Sequence, residues 1–357
     1  MKYITGDEWL RVKGYWLMVV GLMLIVGCSS DSTGSDEQQR STGSTLQVVP
    51  YIAAYQSNDA LSRRAVSEGY SPYTPNQDIS IGLFIMPAST DAQLDYKAQL
   101  VRYSNGDWHS QVIVEGNHNY TIYGYMPKSI TSSISQSGEH TTLTLTGIPA
   151  VSADDICFVT GVKDGKIGDA GDLLQGKFDY AGKTTNNYLC LLFDHLFAAV
   201  NLHFTVDPEY AALRSIKLKK MELTTTKSAV NATITLTPNT TGADPVTSIS
   251  YSTTEGTSTA TFFENAAGIE LKEDNAATIG NYFACFAPDL DNDLTLVCTY
   301  DVYDRYGNKI AERTTPNKLR NLNTVRGQRV TLNLNIAPTY LGVLSEPDLD
   351  NPTIKIQ

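Results

Sequence analysis

The feature that most constrains this chain is a two-residue period. From Leu196 onward, Leu196, Ala198, Val200, Leu202, Phe204 and Val206 fall on one side, and Phe197, Ala199, Asn201, His203 and Thr205 on the other. Successive side chains of a strand point to opposite faces, so this pattern makes a strand packed on one face and gives no continuous apolar stripe to a helix. Elsewhere the same grammar recurs. Ile79, Ile81, Leu83 and Ile85 share a face, and Thr142, Thr144 and Thr146 alternate with Leu143, Leu145 and Gly147, which puts a threonine face outward.

Further strands are expected at Ile216 to Leu223, Val230 to Leu236, Thr259 to Phe263, Tyr282 to Ala287, Leu294 to Tyr303 and Val330 to Ile336. Their threonine, tyrosine and valine content suits a pleated, half-buried surface. Trp108 to Val114 and Tyr120 to Tyr125 read as a hairpin around a turn at 115–119, and Asp304 to Lys309 reads as the turn of another. Short helical turns are expected at Asp172 to Gly176 and Pro208 to Ala212. The expected core includes Ile81, Leu83, Val200, Leu202, Phe204, Leu296 and Val330. The fold class is all-β, organised as two tandem β-sandwiches with a seam near Asp194.

The N-terminus has the order of a secretion signal: Lys2, Arg11 and Lys13, then an apolar run from Tyr15 to Val26, then Gly27 and Cys28. The run is shorter than the roughly 20 apolar residues a transmembrane helix needs. Leu24, Ile25, Val26, Gly27 and Cys28 resemble the bacterial lipobox, so Cys28 is the expected lipidation site and the new N-terminus. Acyl chains contribute about 0.8 kcal/mol per buried methylene, enough for several together to hold a protein at a membrane. The Ser-, Gly-, Asp- and Gln-rich tract that follows buries too little apolar surface to fold and reads as a tether. The expected organisation is therefore a signal over 1–27, a lipidated tether over 28–45, sandwich domains over 46–193 and 194–336, and a tail over 337–357.

Composition excludes more chemistry than it proposes. The net charge is −11, which disfavours nucleic acid, whose phosphates need clustered Lys and Arg. The basic cluster Lys217, Lys219 and Lys220 lies in an amphipathic strand. Beyond Cys28, Cys157, Cys190, Cys285 and Cys298 form no C-x-x-C pair, which argues against a zinc motif. A disulfide between Cys285 and Cys298 is allowed after export, while buried free thiols fit their apolar strands better. Gly171 to Lys177 has phosphate-loop spacing, but Phe178 replaces the hydroxyl residue that would hold magnesium. Asp289, Asp291 and Asp293 begin like a calcium loop, yet Leu294 and Tyr300 stand where that loop needs Gly and Glu, so a solvated turn is expected. Of the five histidines, His109, His118, His140, His195 and His203, none belongs to an HExxH pair; His195, which opens the long strand, reads as a hydrogen-bonded structural residue. No GxSxG elbow is present, and no catalytic, cofactor or metal residue is assigned.

Several stretches resemble the fimbrillin family, the lipoprotein-derived subunits of type V pili: DISIGLFIMP at Asp78 to Pro87, YTIYGYMP at Tyr120 to Pro127, GDLLQG at Gly171 to Gly176, LLFDHLFAAVNLHF at Leu191 to Phe204 and RGQRVTLNLNI at Arg326 to Ile336. Gly124 in the tyrosine strand and the four cysteines beyond Cys28 depart from the family's pattern. The resemblance implies transthyretin-like sandwiches, export as an outer-membrane lipoprotein, trimming by an arginine-specific protease, assembly by strand exchange with other pilus subunits and no catalysis. It makes a shaft or tip subunit the leading expectation, with a lipid-retained anchor or a surface glycan-binding lipoprotein as alternatives.

Where a protease would cut is readable from the residues. Leu46 to Tyr55 reads as a first strand, and Arg63 and Arg64 stand together in a polar stretch without strand grammar, the kind of segment nicked most easily. Cleavage between Arg64 and Ala65 would remove that strand together with the lipid. The tail offers apolar pieces at Tyr340 to Leu344 and Thr353 to Ile356 around a turn-like SEPDLDNP, and is the candidate donor strand.

Overall fold

Ala198–Val206 has the burial its alternation predicts: Val200, Leu202, Phe204 and Val206 are buried, whereas Asn201, His203 and Thr205 are half-exposed. Its first residues are buried on both sides, because Ala199 lies opposite Cys285 and Phe197 packs against the Tyr251 ring. In the computed structural model of the chain, the described residues are 44–45, 47–56, 69–75, 77–87, 99–110, 113–114, 119–163, 175–177, 188–237, 246–271, 283–290, 293–340 and 347–356.

Ala198–Val206 is the middle of a five-stranded sheet. On one side it pairs antiparallel with Phe283–Phe286, which continues to Val151–Ser152; on the other it runs parallel to Arg329–Tyr340, which pairs antiparallel with Pro347–Ile356 at the sheet's edge. A nine-stranded sheet runs in the order Tyr70–Pro72, Gln47–Ala53, Tyr188–His195, Cys157–Lys163, Asn119–Met126, Ile79–Pro87, Gln99–Ser104 and Asp107–Ser110, with Gln175–Lys177 also against Asn119–Met126. The chain passes from this sheet to the five-stranded one through the corner at Leu196 and Phe197, both buried.

A six-stranded sheet is built on Arg214–Leu236, whose one edge carries Val246–Leu271 along most of its length. Its other edge is shared by Leu294–Asp304 and His140–Pro149, flanked by Lys309–Lys318 and Thr131–Ser137. Strands from before and after residue 194 thus lie side by side in one sheet. The expected core residues Ile81, Leu83, Val200, Leu202, Phe204, Leu296 and Val330 are all buried in the apolar core, with Phe84, Tyr123, Tyr125, Phe193, Phe286 and Tyr300 among the large side chains that fill it.

Local signals placed two of the turns. Asp304 holds the hairpin between Leu294–Asp304 and Lys309–Lys318: its Oδ1 accepts from the amides of Tyr306 and Asn308, and Gly307 takes φ +85°. Asp207 caps the short helix Pro208–Ala211, accepting from the amides of Glu209 and Tyr210.

Three expectations are corrected. Asp107–Ser110 turns back on Gln99–Ser104, not on Asn119–Met126, because Asn105 and Gly106 accept the positive φ of a tight hairpin turn (53° and 84°). Asn119–Met126 lies instead beside Ile79–Pro87. The acidic PDLDNP stretch is no turn: it belongs to the strand Pro347–Ile356, where an edge position tolerates prolines and Pro352 is buried. Of the expected helical turn at Asp172 to Gly176, residues 172–174 lie outside the described residues, and Gln175–Lys177 is strand.

Gly124 explains itself. A Cβ there would stand 2.7 Å from Leu83 Cδ2 and 2.9 Å from the Gly82 carbonyl, so the close approach of Asn119–Met126 to Ile79–Pro87 requires glycine.

Candidate functional site

The first strand occupies an interior place in its sheet. Gln47–Ala53 runs parallel to Tyr188–His195, from Gln47 opposite Tyr188 to Ile52 opposite Phe193, and its other edge pairs antiparallel with Tyr70–Pro72. It buries Val48, Pro50 and Ala53. The ladder continues past the strand: the Gln56 amide donates to the Gly327 carbonyl at 2.9 Å, and the Arg329 amide donates to the Gln56 carbonyl at 2.8 Å.

Beside this ladder sits a polar cluster at the corner where the sheets meet. Cys157 and His195 are register partners on neighbouring strands, which brings their side chains together across 38 residues of sequence. The buried His195 imidazole places Nε2 2.7 Å from the Ala53 carbonyl and Nδ1 2.8 Å from Asp155 Oδ2, with Cys157 Sγ 3.7 Å from Nδ1. Tyr55, two residues past Ala53, stacks on the imidazole with ring centroids 3.6 Å apart and planes inclined by 13°. Its hydroxyl donates to Asp155 Oδ1 at 2.8 Å and lies 3.2 Å from Cys285 Sγ. The next anchor is Asp194, which accepts from the Tyr70 hydroxyl and from Arg326. Burial, and after it the Asp155 carboxylate, push the Cys157 and Cys285 thiols well above their ordinary range, so both are protonated and poor nucleophiles. The same two causes, in the same order, raise the Tyr55 phenol.

The tail Pro347–Ile356 is held by side chains from outside its own sheet. Tyr210 and Tyr300 donate their hydroxyls to the carbonyls of Leu349 and Pro352, Arg313 donates to the Asp350 carbonyl, and the Arg214 guanidinium bonds the Asp350 carboxylate through two nitrogens.

The remaining sequence candidates divide. Cys28, Arg63, Arg64, Ala65 and Asp291 lie outside the described residues. Asp289 is exposed in the short 3-10 turn Pro288–Leu290. Asp293 serves the turn itself: its Oδ2 accepts from both hydroxyls of Thr225 and Thr226 and from the Thr226 amide. Burial opposes the charge of Asp293, but these bonds outweigh it and hold the carboxyl below its usual range. Cys285 and Cys298 are buried free thiols, and burial raises Cys298 to about 12. The basic cluster is neutralised within the sheet: Lys219 meets Glu312, Lys220 meets Glu222, and Lys217 lies over the Tyr303 ring. A register shift between Leu218 and Lys220 sets two lysines on the same side of the strand. Among the described residues the large exposed apolar side chains include one aromatic, Tyr306. Of the strand tyrosines, Tyr103, Tyr123, Tyr125 and Tyr300 are buried, whereas Tyr51, Tyr70, Tyr251 and Tyr303 are half-buried.

Sequence reasoning singled out His195 and missed Asp155 and Tyr55 as its partners. No motif spacing links positions 55, 155 and 195; a signal existed only for Tyr55, as the aromatic end of an otherwise small-residue segment.

No family model matches the sequence, and no curated protein matches it. Solved structures do. A proposed cell adhesion protein of Bacteroides uniformis is 11% identical over 90% of this chain and 99% of its own, with a TM-score of 0.39. A fimbrial protein of Bacteroides vulgatus is 12% identical over 78% of this chain and 91% of its own, with a TM-score of 0.34. The fimbrial anchor protein Mfa2 of Porphyromonas gingivalis is 11% identical over 87% of this chain and 96% of its own, with a TM-score of 0.27.

Proposed function

We propose that the chain is a structural subunit, shaft or tip, of a bacterial surface pilus, and that its first strand is a temporary filler whose removal opens the subunit for assembly. The observation that supports this best is the place of Gln47–Ala53. It lies between Tyr70–Pro72 and Tyr188–His195, and the Arg63-Arg64 pair falls on the connection from it to Tyr70–Pro72. A cut between Arg64 and Ala65 by an arginine-specific protease therefore frees the filler without cutting a described strand. Once the filler leaves, the facing edges of Tyr188–His195 and Tyr70–Pro72 lose their partners, and each backbone group left buried and unpaired costs about 1–3 kcal/mol. Such an edge recruits a strand from another chain.

The donor in this reading is the tail. Pro347–Ile356 rests on the edge of its own sheet in the monomer, so donation exchanges one ladder for another. Until the cut, Cys28 carries the lipid that holds the precursor at the outer membrane. The two-sandwich division near Asp194 and its transthyretin-like character belong to the same reading, with Thr131–Ser137 and His140–Pro149 reaching across the seam to pair with Arg214–Leu236.

Three variants test the reading. Arg63→Ala with Arg64→Ala should stay monomeric and lipidated at the cell surface. Deletion of 347–357 should permit cleavage and stop chain growth; starting at 347 spares Arg329–Tyr340, to which Ala337 belongs. Cys28→Ala should take up no labelled fatty acid. Polymer ladders from the double-alanine protein would end the proposal.

A further inference from the structure

We propose that Asp155, Cys157 and His195 form a buried three-ligand zinc site. This goes beyond the pilus reading and does not depend on it. One ligand atom from each of the first three residues lies within 4.8 Å of the others. The Ala53 carbonyl can only accept, so its 2.7 Å contact fixes the proton on Nε2 of His195 and turns Nδ1 toward the cluster. There Nδ1 faces a carboxylate oxygen at 2.8 Å and a sulfur at 3.7 Å. Tetrahedral zinc, with bonds of about 2.0–2.1 Å to nitrogen and about 2.3 Å to sulfur, separates these two ligands by roughly 3.5 Å. The sulfur is therefore placed already, and the carboxylate must back away by roughly half an ångström to reach the same geometry.

Three protein ligands leave the fourth position of a tetrahedral ion to a water. The Tyr55 hydroxyl bonds Asp155 and lies 3.2 Å from Cys285 Sγ, so that thiol borders the site through Tyr55 and is not one of its ligands. One imidazole, one carboxylate and one thiolate suit zinc, whereas calcium and magnesium take oxygen ligands. Binding replaces the thiol proton of Cys157 and any proton held between Nδ1 and Asp155, so those protons leave to solvent. Topology explains why no sequence spacing announces the site. Cys157 and His195 meet by register on neighbouring strands, and Asp155 lies two residues before Cys157. A metal there would fasten those two strands beside the ring of Tyr55.

The test uses the full chain carrying Cys28→Ala, stripped with chelator and then titrated with zinc and, separately, with cobalt(II). The expected result is about one tightly held zinc per chain, a raised melting temperature, and a thiolate-to-cobalt charge-transfer band in the near ultraviolet. Cys157→Ala should abolish the band, and Cys298→Ala, which removes a buried thiol elsewhere, should leave it intact. Circular dichroism of the β type certifies that each variant is folded. His195→Gln supplies a second loss-of-site variant should Cys157→Ala fail that check. A folded parent chain that holds no stoichiometric zinc, leaving a proton bridge between His195 and Asp155 as the whole of the site, overturns the proposal. A cobalt band that persists in both Cys157→Ala and His195→Gln also overturns it.

Discussion

Changing Tyr55 to Phe asks whether the first strand is latched at one point. The substitution keeps the ring that stacks on His195 at 3.6 Å and removes only the hydroxyl that donates to Asp155. A hydrogen bond to a charged group contributes about 1.5–3 kcal/mol. At about 1.4 kcal/mol per factor of ten, the strand should open roughly 10- to 100-fold more often. The opening is local, because Tyr55 touches the cluster from just past the strand's end, and of the core strands the lost hydroxyl touches Phe283–Phe286, at Cys285. Native-state hydrogen exchange, run with chelator present, reads it directly. Amides at 47–56, above all that of Gln56 bonded to the Gly327 carbonyl, should exchange faster by that factor, and those of Ala198–Val206 should not change. Tyr55→Ala, which also loses the stacked ring, should extend the effect toward a total of about 3–5 kcal/mol. Unchanged exchange at 47–56 in Tyr55→Phe would refute the latch; equal acceleration in both segments would show that Tyr55 supports the whole fold.

Leu202→Asp places an unpaired charge on the buried face of Ala198–Val206 and should cost several kcal/mol. His203→Asp on the half-exposed face should leave the melting curve near that of the parent. Gly124→Val pushes a side chain into Leu83 and the Gly82 carbonyl and should lower the unfolding free energy, read from denaturant melts, by about 1–3 kcal/mol, with Gly124→Ala milder but not neutral. Asp293 is held below the usual carboxylate range, so its charged form stabilises the fold above a pH of about 3.9, and that share is lost as pH falls through the lowered value. Thermal melts should therefore show Asp293→Asn less stable than the parent at neutral pH, with the gap closing in acid; a gap independent of pH would contradict this.

The strands and their faces were legible because alternation encodes them directly: Val200, Leu202 and Phe204 needed no partner to be placed inward. Which strand pairs with which was less legible, since a two-residue period is the same whatever lies beside it. The misplaced hairpin at Trp108 shows this. The Asn105-Gly106 turn, not the longer segment at 115–119, chooses the partner of Asp107–Ser110, and Ile113–Val114 pairs separately with Ser44–Thr45. The Pro347–Ile356 strand was hidden for a related reason, since PDLDNP has turn composition and is drawn into strand by its ladder to Arg329–Tyr340 and by Arg214, Tyr210 and Tyr300, all distant in sequence. At the candidate site, His195 stood out as the residue opening the long strand. Its partners did not, because Tyr55 and Asp155 are assembled by the meeting of sheets.

The place of the first strand also sets an order of events. Gln47–Ala53 emerges early in synthesis, yet its parallel neighbour Tyr188–His195 lies about 140 residues further along the chain. Until that neighbour appears, the segment has only the three-residue partner Tyr70–Pro72, too short a pairing to hold by itself. A part of the chain made early is thus among the last to be seated, after a long loop has closed around it. A segment that joins late contributes little to the folding nucleus, so its loss would mainly affect how quickly the finished protein comes apart and not whether it forms. Under the proposed cleavage, the folded chain would lose its beginning without having to fold again.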